Sequence, residues 1–368
     1  MKFATIKYAF AAVLFPVILG VCFVCANNGS IEAESRTVSG GSAQDFTINV
    51  PFASSEGKSD GEEAAAGMRD TKSELWYSYG NGENDDPVDF LEEELPASTP
   101  DPDRESGKVI ETDVSGEKNV GNIAVNDTSD SGLDLEEEIK KELNFTVDKS
   151  NDQPTVLIYH THTCESYMSY FSGFYYKDMS FRSTDCNKNV AAVGERLKKA
   201  LEDDGYTVIH DMTIYDAPAF NGAYQRSMAS VQDYLKKYPS IKVTIDLHRD
   251  SMANDDGDSY KPTAKIDGRK AAQMMIIAGS DPTGELEYKN WQDNLLFALK
   301  IEEKGAELYP GLMRPIMFCQ RMYNMDATNA SFLVEIGTET NTLGEAEYSG
   351  TLLGNILSQV LDTVDISS

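Results

Sequence analysis

After Pro154, short apolar segments alternate with amphipathic segments, and this alternation restricts the fold more than any other feature of the sequence. Residues Thr155–His160 (TVLIYH) form a β-branched apolar run that is typical of a buried strand. Residues Asn187–Asp204 carry apolar side chains at helical spacing and end before Gly205, and glycine is common just past a helix C-terminus. The order of strand and then helix predicts an α/β domain.

The same pattern continues to the end of the chain. It predicts further strands at Tyr206–His210, Lys242–Leu247, Gln273–Ala278 and Ser331–Ile336, and further helices at Gln225–Tyr238, Asn290–Leu308 and Glu345–Val364. We therefore expect one domain over residues 151–368, with a mainly parallel or mixed central sheet and helices on both of its faces.

Residues 27–150 differ in composition from this domain. The whole chain carries 61 acidic and 32 basic residues for a formal net charge of −29, and residues 27–150 alone carry 30 acidic and 10 basic residues. Sustained apolar periodicity is lacking in this segment, which predicts a largely disordered, extended acidic linker, although the run LDLEEEIKKELNF is also compatible with a short helix capping the domain. This acidity, without a basic stripe, excludes nucleic acid as the main partner.

Residues 1–26 contain the most apolar stretch of the chain. From Tyr8 to Ala26 no side chain is charged, and Lys2 and Lys7 precede this stretch. Its length suits a membrane-spanning helix with the N-terminus in the cytoplasm and the rest of the chain outside. A cleaved secretory signal is the alternative. Both interpretations predict that the domain is exported.

Polar residues cluster where three of the predicted strands end. The first strand runs into His160, His162 and Glu165, and the strand KVTIDL runs into His248. The strand SFLVEI contains Glu335 and is followed by Asn341. Open α/β sheets bind their ligands beyond the carboxyl ends of the strands, so these residues are the candidates for a functional site.

The types of residue in this cluster favour zinc. Histidine nitrogens and carboxylate oxygens are zinc ligands, and a catalytic zinc site keeps one position for water. We therefore predict that His162, Glu165 and His248 bind Zn²⁺ and that Glu335 is the general base.

Several neighbouring residues have more than one interpretation. His160 alternates with His162 and is expected on the same face of the strand, where it is a ligand or a structural residue. Asp246 is placed to orient His248 or to make a structural hydrogen bond. The remaining alternatives are an Arg249–Asp250 pair or a substrate carboxylate bound by Arg249 or Arg321, a surface position for His210, and a nucleophilic Cys164.

Three strings resemble the stage II sporulation protein P family of endospore-forming bacteria: VLIYHTHTCESY, TIDLHRDS and FLVEIGTETNTLGEAEYS. More distantly, the domain is similar to zinc N-acetylmuramoyl-L-alanine amidases. Their two ligand histidines fall on His162 and His248, and their catalytic glutamate, followed by a glycine and an asparagine, falls on Glu335 with Gly337 and Asn341.

The resemblance implies a peptidoglycan hydrolase that cleaves the amide between N-acetylmuramic acid and L-alanine, with an additional activity on peptide cross-links. It implies action during forespore engulfment, in the intermembrane space at the sporulation septum. The membrane protein M and the lytic transglycosylase D of the same stage are the implied partners.

One position departs from the amidase pattern. In the amidases the ligand glutamate lies near the start of the first long helix, whereas here no glutamate precedes Glu195 in that stretch. Glu165 is our substitute and Asp185 is the alternative. A carboxypeptidase-like zinc peptidase and a non-catalytic wall-binding scaffold stay open as other functions.

Overall fold

We describe the fold from a computed structural model, in which residues 99–367 are described. They fall within one compact unit, Asp85–Ser368. Within residues 99–367, no helix has both the length and the apolar character needed to span a membrane. The predicted anchor at residues 1–26 and residues 27–98 of the predicted linker lie outside the described residues.

Residues 99–367 form eleven strands, five α-helices and one short 3-10 helix. The strands are β1 (Ser106–Thr112), β2 (Val125–Thr128), β3 (Val156–Tyr159), β4 (Phe174–Tyr176), β5 (Val208–His210), β6 (Val243–Asp250), β7 (Ser259–Ile266), β8 (Arg269–Ala272), β9 (Met274–Gly279), β10 (Ile316–Cys319) and β11 (Ala330–Thr338). The α-helices are α1 (Leu135–Glu138), α2 (Val190–Asp203), α3 (Ala223–Lys237), α4 (Trp291–Leu308) and α5 (Leu343–Asp362), and the 3-10 helix is Met325–Ala327.

A seven-stranded sheet forms the centre of the domain, in the order β2-β10-β9-β11-β6-β3-β5. The pairing of β11 with β9 is antiparallel, whereas the other pairings in this sheet are parallel. The expectation of a mainly parallel or mixed sheet is therefore confirmed. Because β3, β6 and β11 run in the same direction, their carboxyl ends lie at the same edge of the sheet.

Helices cover both faces of this sheet, as predicted. Val156 and Ile158 of β3 belong to the main hydrophobic core, which also contains the apolar residues of α2 and α5. Leu157, between them, belongs to a second cluster with Val231 of α3. Adjacent β3 residues thus pack into different layers, which explains why this strand has no polar side.

Helices α2 and α5 pack closely because α5 has glycines where they meet. A Cβ atom at Gly350 would lie 2.6 Å from the carbonyl oxygen of Val193, and one at Gly354 would lie 2.5 Å from the Cβ of Ala200. Any larger side chain would push these helices apart.

The prediction of a disordered linker up to residue 150 is wrong for the part of the linker that the structure describes. Strand β2 adds to the central sheet by pairing with β10, and β1 pairs with both β4 and β7. Ile123, Leu135 and Val147 are buried in the main core. The apolar residues here are few and lie between exposed acidic ones, so the average composition hides the elements that they form.

A second sheet, in the order β4-β1-β7-β8, was not predicted from the sequence. Its strand β7 contains Lys261, whose side chain is fully buried with Nζ 2.5 Å from Glu345 Oε1. Glu111 of β1 lies 3.5 Å from the same Nζ atom. A lysine and a proline within β7 interrupt its apolar pattern, so the strand has no clear signal in the sequence.

Candidate metal centre

The candidate ligands lie at the carboxyl ends of β3 and β6, on the face of the sheet that carries α3. Strand β3 ends at Tyr159, and the following turn brings the carbonyl of His162 within 3.0 Å of the amide nitrogen of Glu165. His248 lies on β6 and is 3% exposed. These three residues form one group whose ligand atoms all lie within 4.8 Å of one another.

The separations in this group suit a small tetrahedral ion. Glu165 Oε1 lies 3.5 Å from His162 Nδ1, and Glu165 Oε2 lies 3.3 Å from His248 Nδ1. A tetrahedral zinc ion with bonds of about 2.0–2.1 Å holds its ligands about 3.3–3.4 Å apart. The two nitrogens and the carboxylate therefore fit zinc in type, and each nitrogen lies near the tetrahedral separation from one carboxylate oxygen.

Glu165 lies close to the first long helix in space although it is distant in sequence. The amide nitrogen of Val190, the first residue of α2, donates to the carbonyl of Glu165 at 2.9 Å. Residues 166–189 therefore form a loop, called the excursion below, that departs from the domain after Glu165 and returns to it at the start of α2. Asp185, the alternative ligand, lies in this excursion, where it pairs with Lys188 at 3.3 Å.

Charges around Glu165 keep it ionised. Burial alone would raise the pKa of this carboxyl, but His248, His162 and Arg249 hold the pKa below its usual range. The same geometry acts on His248, where burial is outweighed by Asp246 and Glu165, and the pKa is raised well above its usual value. A metal ion at these ligands competes with the proton on His248.

Asp246 lies behind His248 on the same strand. Its Oδ1 atom is 2.8 Å from His248 Nε2, on the side of the ring away from Glu165. Both oxygens of Asp246 also accept hydrogen bonds from Thr161, from the backbone amide at 2.8 Å and from the hydroxyl at 2.7 Å. The contact between Asp246 and His248 is an ion pair without hydrogen-bond geometry among residues 99–367, and it leaves Nδ1 facing the other candidate ligands.

Glu335 lies beside His248 on the neighbouring strand, where the two residues are paired in register. Its Oε2 atom is buried and has no hydrogen-bond partner within residues 99–367. Burial raises the pKa of Glu335 to about 8, and the charges of Asp250 and Glu165 also raise it, whereas His248 and Arg314 lower it. A carboxyl group with such a pKa can take up and return a proton near neutral pH.

Backbone carbonyl groups accept the hydrogen bonds of Arg249. Its guanidinium donates to the carbonyls of Ser166 at 3.0 Å, Asp250 at 3.1 Å and Phe181 at 2.9 Å. The carboxylate of Asp250 pairs instead with Arg314, at 2.8 Å. The expected side-chain pair between Arg249 and Asp250 is therefore wrong, and Arg314 is a charged neighbour of the site that the sequence did not indicate.

Asn341 and Arg321 have interactions other than with the three candidate ligands. The fully buried Asn341 holds the turn after β11, because its amide group donates to Pro262 and Glu345 and accepts from Thr338. Arg321 is exposed and interacts with Tyr323.

His160 does not share a face with His162, and the expectation that it does is wrong because the strand ends before the turn. The ring of His160 is buried near α2, where Nδ1 donates to the carbonyl of Leu247 at 2.8 Å and Nε2 lies 2.8 Å from His210 Nε2. His210 also contacts Glu195, at 3.0 Å, and is 7% exposed, so its prediction as a surface residue is wrong.

Cys164 is buried, and its environment disfavours the thiolate. Burial and the nearby carboxylate of Asp216 raise the pKa of the thiol to about 12. The geometry thus gives no support to nucleophilic catalysis by this residue.

Aromatic rings surround His162. Phe220, which is 52% exposed, stacks on the imidazole with ring centroids 4.3 Å apart, and Tyr224 meets it edge-on at 5.4 Å. Phe220 lies in a loop before α3, and its local sequence has no motif that indicates a role at the site.

A comparison with protein families finds that the model of Stage II sporulation protein P (SpoIIP) matches residues 85–358 of this chain. The Stage II sporulation protein P of Bacillus subtilis (strain 168) is 27% identical over 222 residues, which cover 57% of this chain and 52% of the relative. The chain therefore matches about half the length of that curated relative.

Solved structures of amidases are similar at low identity. The CwlD amidase from Clostridioides difficile, in complex with the GerS lipoprotein, has a TM-score of 0.35 and 13% identity over 57% of this chain and 98% of that chain. The N-acetylmuramoyl-L-alanine amidase AmiC2 of Nostoc punctiforme has a TM-score of 0.35 and 11% identity, over 59% of this chain and 97% of that chain.

Proposed function

Because this chain belongs to the stage II sporulation protein P family, we propose that it is a zinc-dependent peptidoglycan hydrolase that acts in sporulation. The bond cleaved is the amide between N-acetylmuramic acid and the L-alanine of the stem peptide. The observation that carries this proposal is the convergence of His162, Glu165 and His248 beside Glu335, whose buried Oε2 atom has no hydrogen-bond partner among residues 99–367.

His162, Glu165 and His248 are the residues that would hold the zinc ion. Bound there, zinc supplies Lewis acidity, which polarises an amide carbonyl and makes water a better nucleophile near neutral pH. Asp246 keeps His248 in the orientation that directs Nδ1 towards the site.

Glu335 moves the proton in this proposal. Its free Oε2 atom can accept a proton from water and return it to the amide nitrogen that leaves. Positive charge at the neighbouring ligands lowers the pKa of this carboxyl from about 8 and thereby favours the ionised form that a base requires.

The test is to measure the zinc content of the full chain and to identify by mass spectrometry the products it releases from purified muropeptides. We expect His162→Ala and His248→Ala to lose both zinc and cleavage. Glu335→Gln should keep zinc and lose cleavage. Asp185→Asn is the matched control, because this exposed carboxylate was the alternative ligand and its loss should change neither zinc content nor cleavage.

The products separate the remaining functions. Release of intact stem peptides supports the amidase, and cut cross-links would reveal the additional endopeptidase activity. Loss of terminal residues alone would instead support a carboxypeptidase. Unchanged wall hydrolysis in Glu335→Gln, together with insensitivity to a chelator, would show that this site does not carry the hydrolysis. Absence of cleavage by the native chain, with binding to the wall retained, would support a wall-binding scaffold.

We also propose the location and partners that the family resemblance implies. An anchor at residues 1–26 would hold the domain outside the cytoplasm, in the space between the two membranes at the sporulation septum, beside proteins D and M of the same stage. Protease treatment of sporulating cells that have lost their wall, before the space between the membranes closes, tests the location, because an external domain would be digested and a cytoplasmic one protected.

A further inference from the structure

The excursion at residues 166–189 contains a groove of about 410 Å³ that the proposed reaction does not use. Its volume lies within the range of about 300–1,000 Å³ that is usual for ligand sites. Tyrosine, phenylalanine and serine side chains form most of its lining, among them Tyr170, Tyr175, Tyr176 and Phe181.

Two lining residues of the groove are linked to the metal centre, one along the chain and one through ring contacts. Ser166, which lines it, directly follows the candidate ligand Glu165. Arg182, at the other side of the excursion, also lines the groove, and its guanidinium lies over the ring of Phe220 at 5.3 Å. Phe220 in turn stacks on His162. A molecule in the groove would therefore extend towards the candidate ligands.

The walls of the groove are fixed to the rest of the domain. The hydroxyl of Tyr167 donates to the carbonyl of Ile336 at 3.0 Å, and Tyr175 donates to the carbonyl of Gly257 at 2.8 Å. Arg249 joins the two sides of the excursion by donating to Ser166 and Phe181. A groove that is formed before binding loses little conformational entropy when a ligand enters.

The side chains at the groove suit a neutral ligand with many hydroxyl groups. Of the aromatic residues in the range 99–367, Tyr170 and Phe220 are the two with about half of their surface exposed. The cations of the lining are already paired, Arg182 with Asp216 and Lys188 with Asp185. An anionic ligand would therefore compete with these carboxylates, whereas a sugar ring can stack on the exposed rings.

We propose that this groove binds the glycan strand, a polymer of N-acetylated amino sugars, and thereby presents the attached stem peptide to the metal centre. The inference rests on the proposed function and names the part of the substrate that the groove recognises. The stem peptide is the competing occupant, and its carboxylates make it a poorer match to the paired cations.

The first measurement compares two substrates of the full chain, polymeric peptidoglycan and a soluble muramyl peptide with a single sugar. Tyr170→Ala should lower kcat/KM on the polymer about three- to tenfold, mainly through KM, and leave kcat/KM on the small substrate unchanged. Tyr170→Phe keeps the ring and should restore the activity. Met317→Ala removes another exposed apolar side chain, from β10, and is the control.

The second measurement tests binding without turnover. Peptide-free glycan chains should bind the full-length Glu335→Gln variant in calorimetry, and Tyr170→Ala in that background should weaken this binding. Equal losses on both substrates, or binding of free stem peptide in place of the glycan chains, would overturn the inference. Absence of cleavage of either substrate by the native chain would count against the proposed function alone, since the glycan-binding result still decides the role of the groove.

Discussion

The substitution Asp246→Asn tests the structural account of the metal centre most directly. Asp246 is 1% exposed and lies 2.8 Å from His248 Nε2, which favours the tautomer with its proton on that nitrogen. Asparagine with its oxygen at the Oδ1 position keeps the bond from the Thr161 amide and still faces His248 Nε2, but it removes the negative charge and turns its NH₂ group towards the Thr161 hydroxyl. The imidazole then lacks the buried negative charge that raises its pKa and that makes Nδ1, the atom facing Glu165, a stronger ligand.

We expect this change to weaken zinc binding about 10- to 100-fold, the usual effect of removing a carboxylate behind a ligand histidine. That range corresponds to about 1.4–2.7 kcal/mol. Titration of the metal-free full chain against a competing chelator measures it, with Asp185→Asn as the control. Activity should return at saturating zinc. Unchanged zinc affinity in Asp246→Asn, with an unchanged melting temperature, would refute the role of the Asp246 carboxylate behind His248.

Three further predictions concern pH, a buried ion pair and the domain boundary. The pKa of Glu335 is raised to about 8 in the folded chain, from about 4.5 in the unfolded chain. The metal-free chain should therefore lose stability as pH rises through this range, because ionising the buried carboxyl opposes folding. Thermal melts should show that Glu335→Gln removes part of this loss, and identical pH profiles of the two chains would contradict the expectation. Lys261→Ala leaves the carboxylate of Glu345 buried without its lysine partner. The free energy of unfolding, measured in urea, should therefore fall by about 3–5 kcal/mol. A loss below about 1 kcal/mol would contradict this expectation. A fragment of residues 151–368 lacks β1 and β2 and should melt at a lower temperature than residues 85–368, and equal melting temperatures would restore the boundary at residue 150.

The sequence predicted the central elements well because their patterns are local. Strand β3 is apolar throughout since both of its faces are covered, and α2 carries its apolar residues at helical spacing. The polar residues at the ends of β3, β6 and β11 were recognisable because parallel strands bring their carboxyl ends to one edge. The apolar pattern did not predict β1, β2 and β7. In these strands acidic residues or Lys261 interrupt short apolar runs, which become buried only by pairing with distant strands.

The sequence likewise predicts some residues of the candidate site, whereas the arrangement of others depends on tertiary structure. His162, His248 and Glu335 follow from the sequence alone, since their chemistry and their place in the strands are visible there. The position of Glu165 beside α2 depends on tertiary structure, because the excursion that separates them is closed by a hydrogen bond from Val190. The partners of Arg249 and Asp250 likewise depend on segments far away along the chain, and no local pattern encodes such contacts.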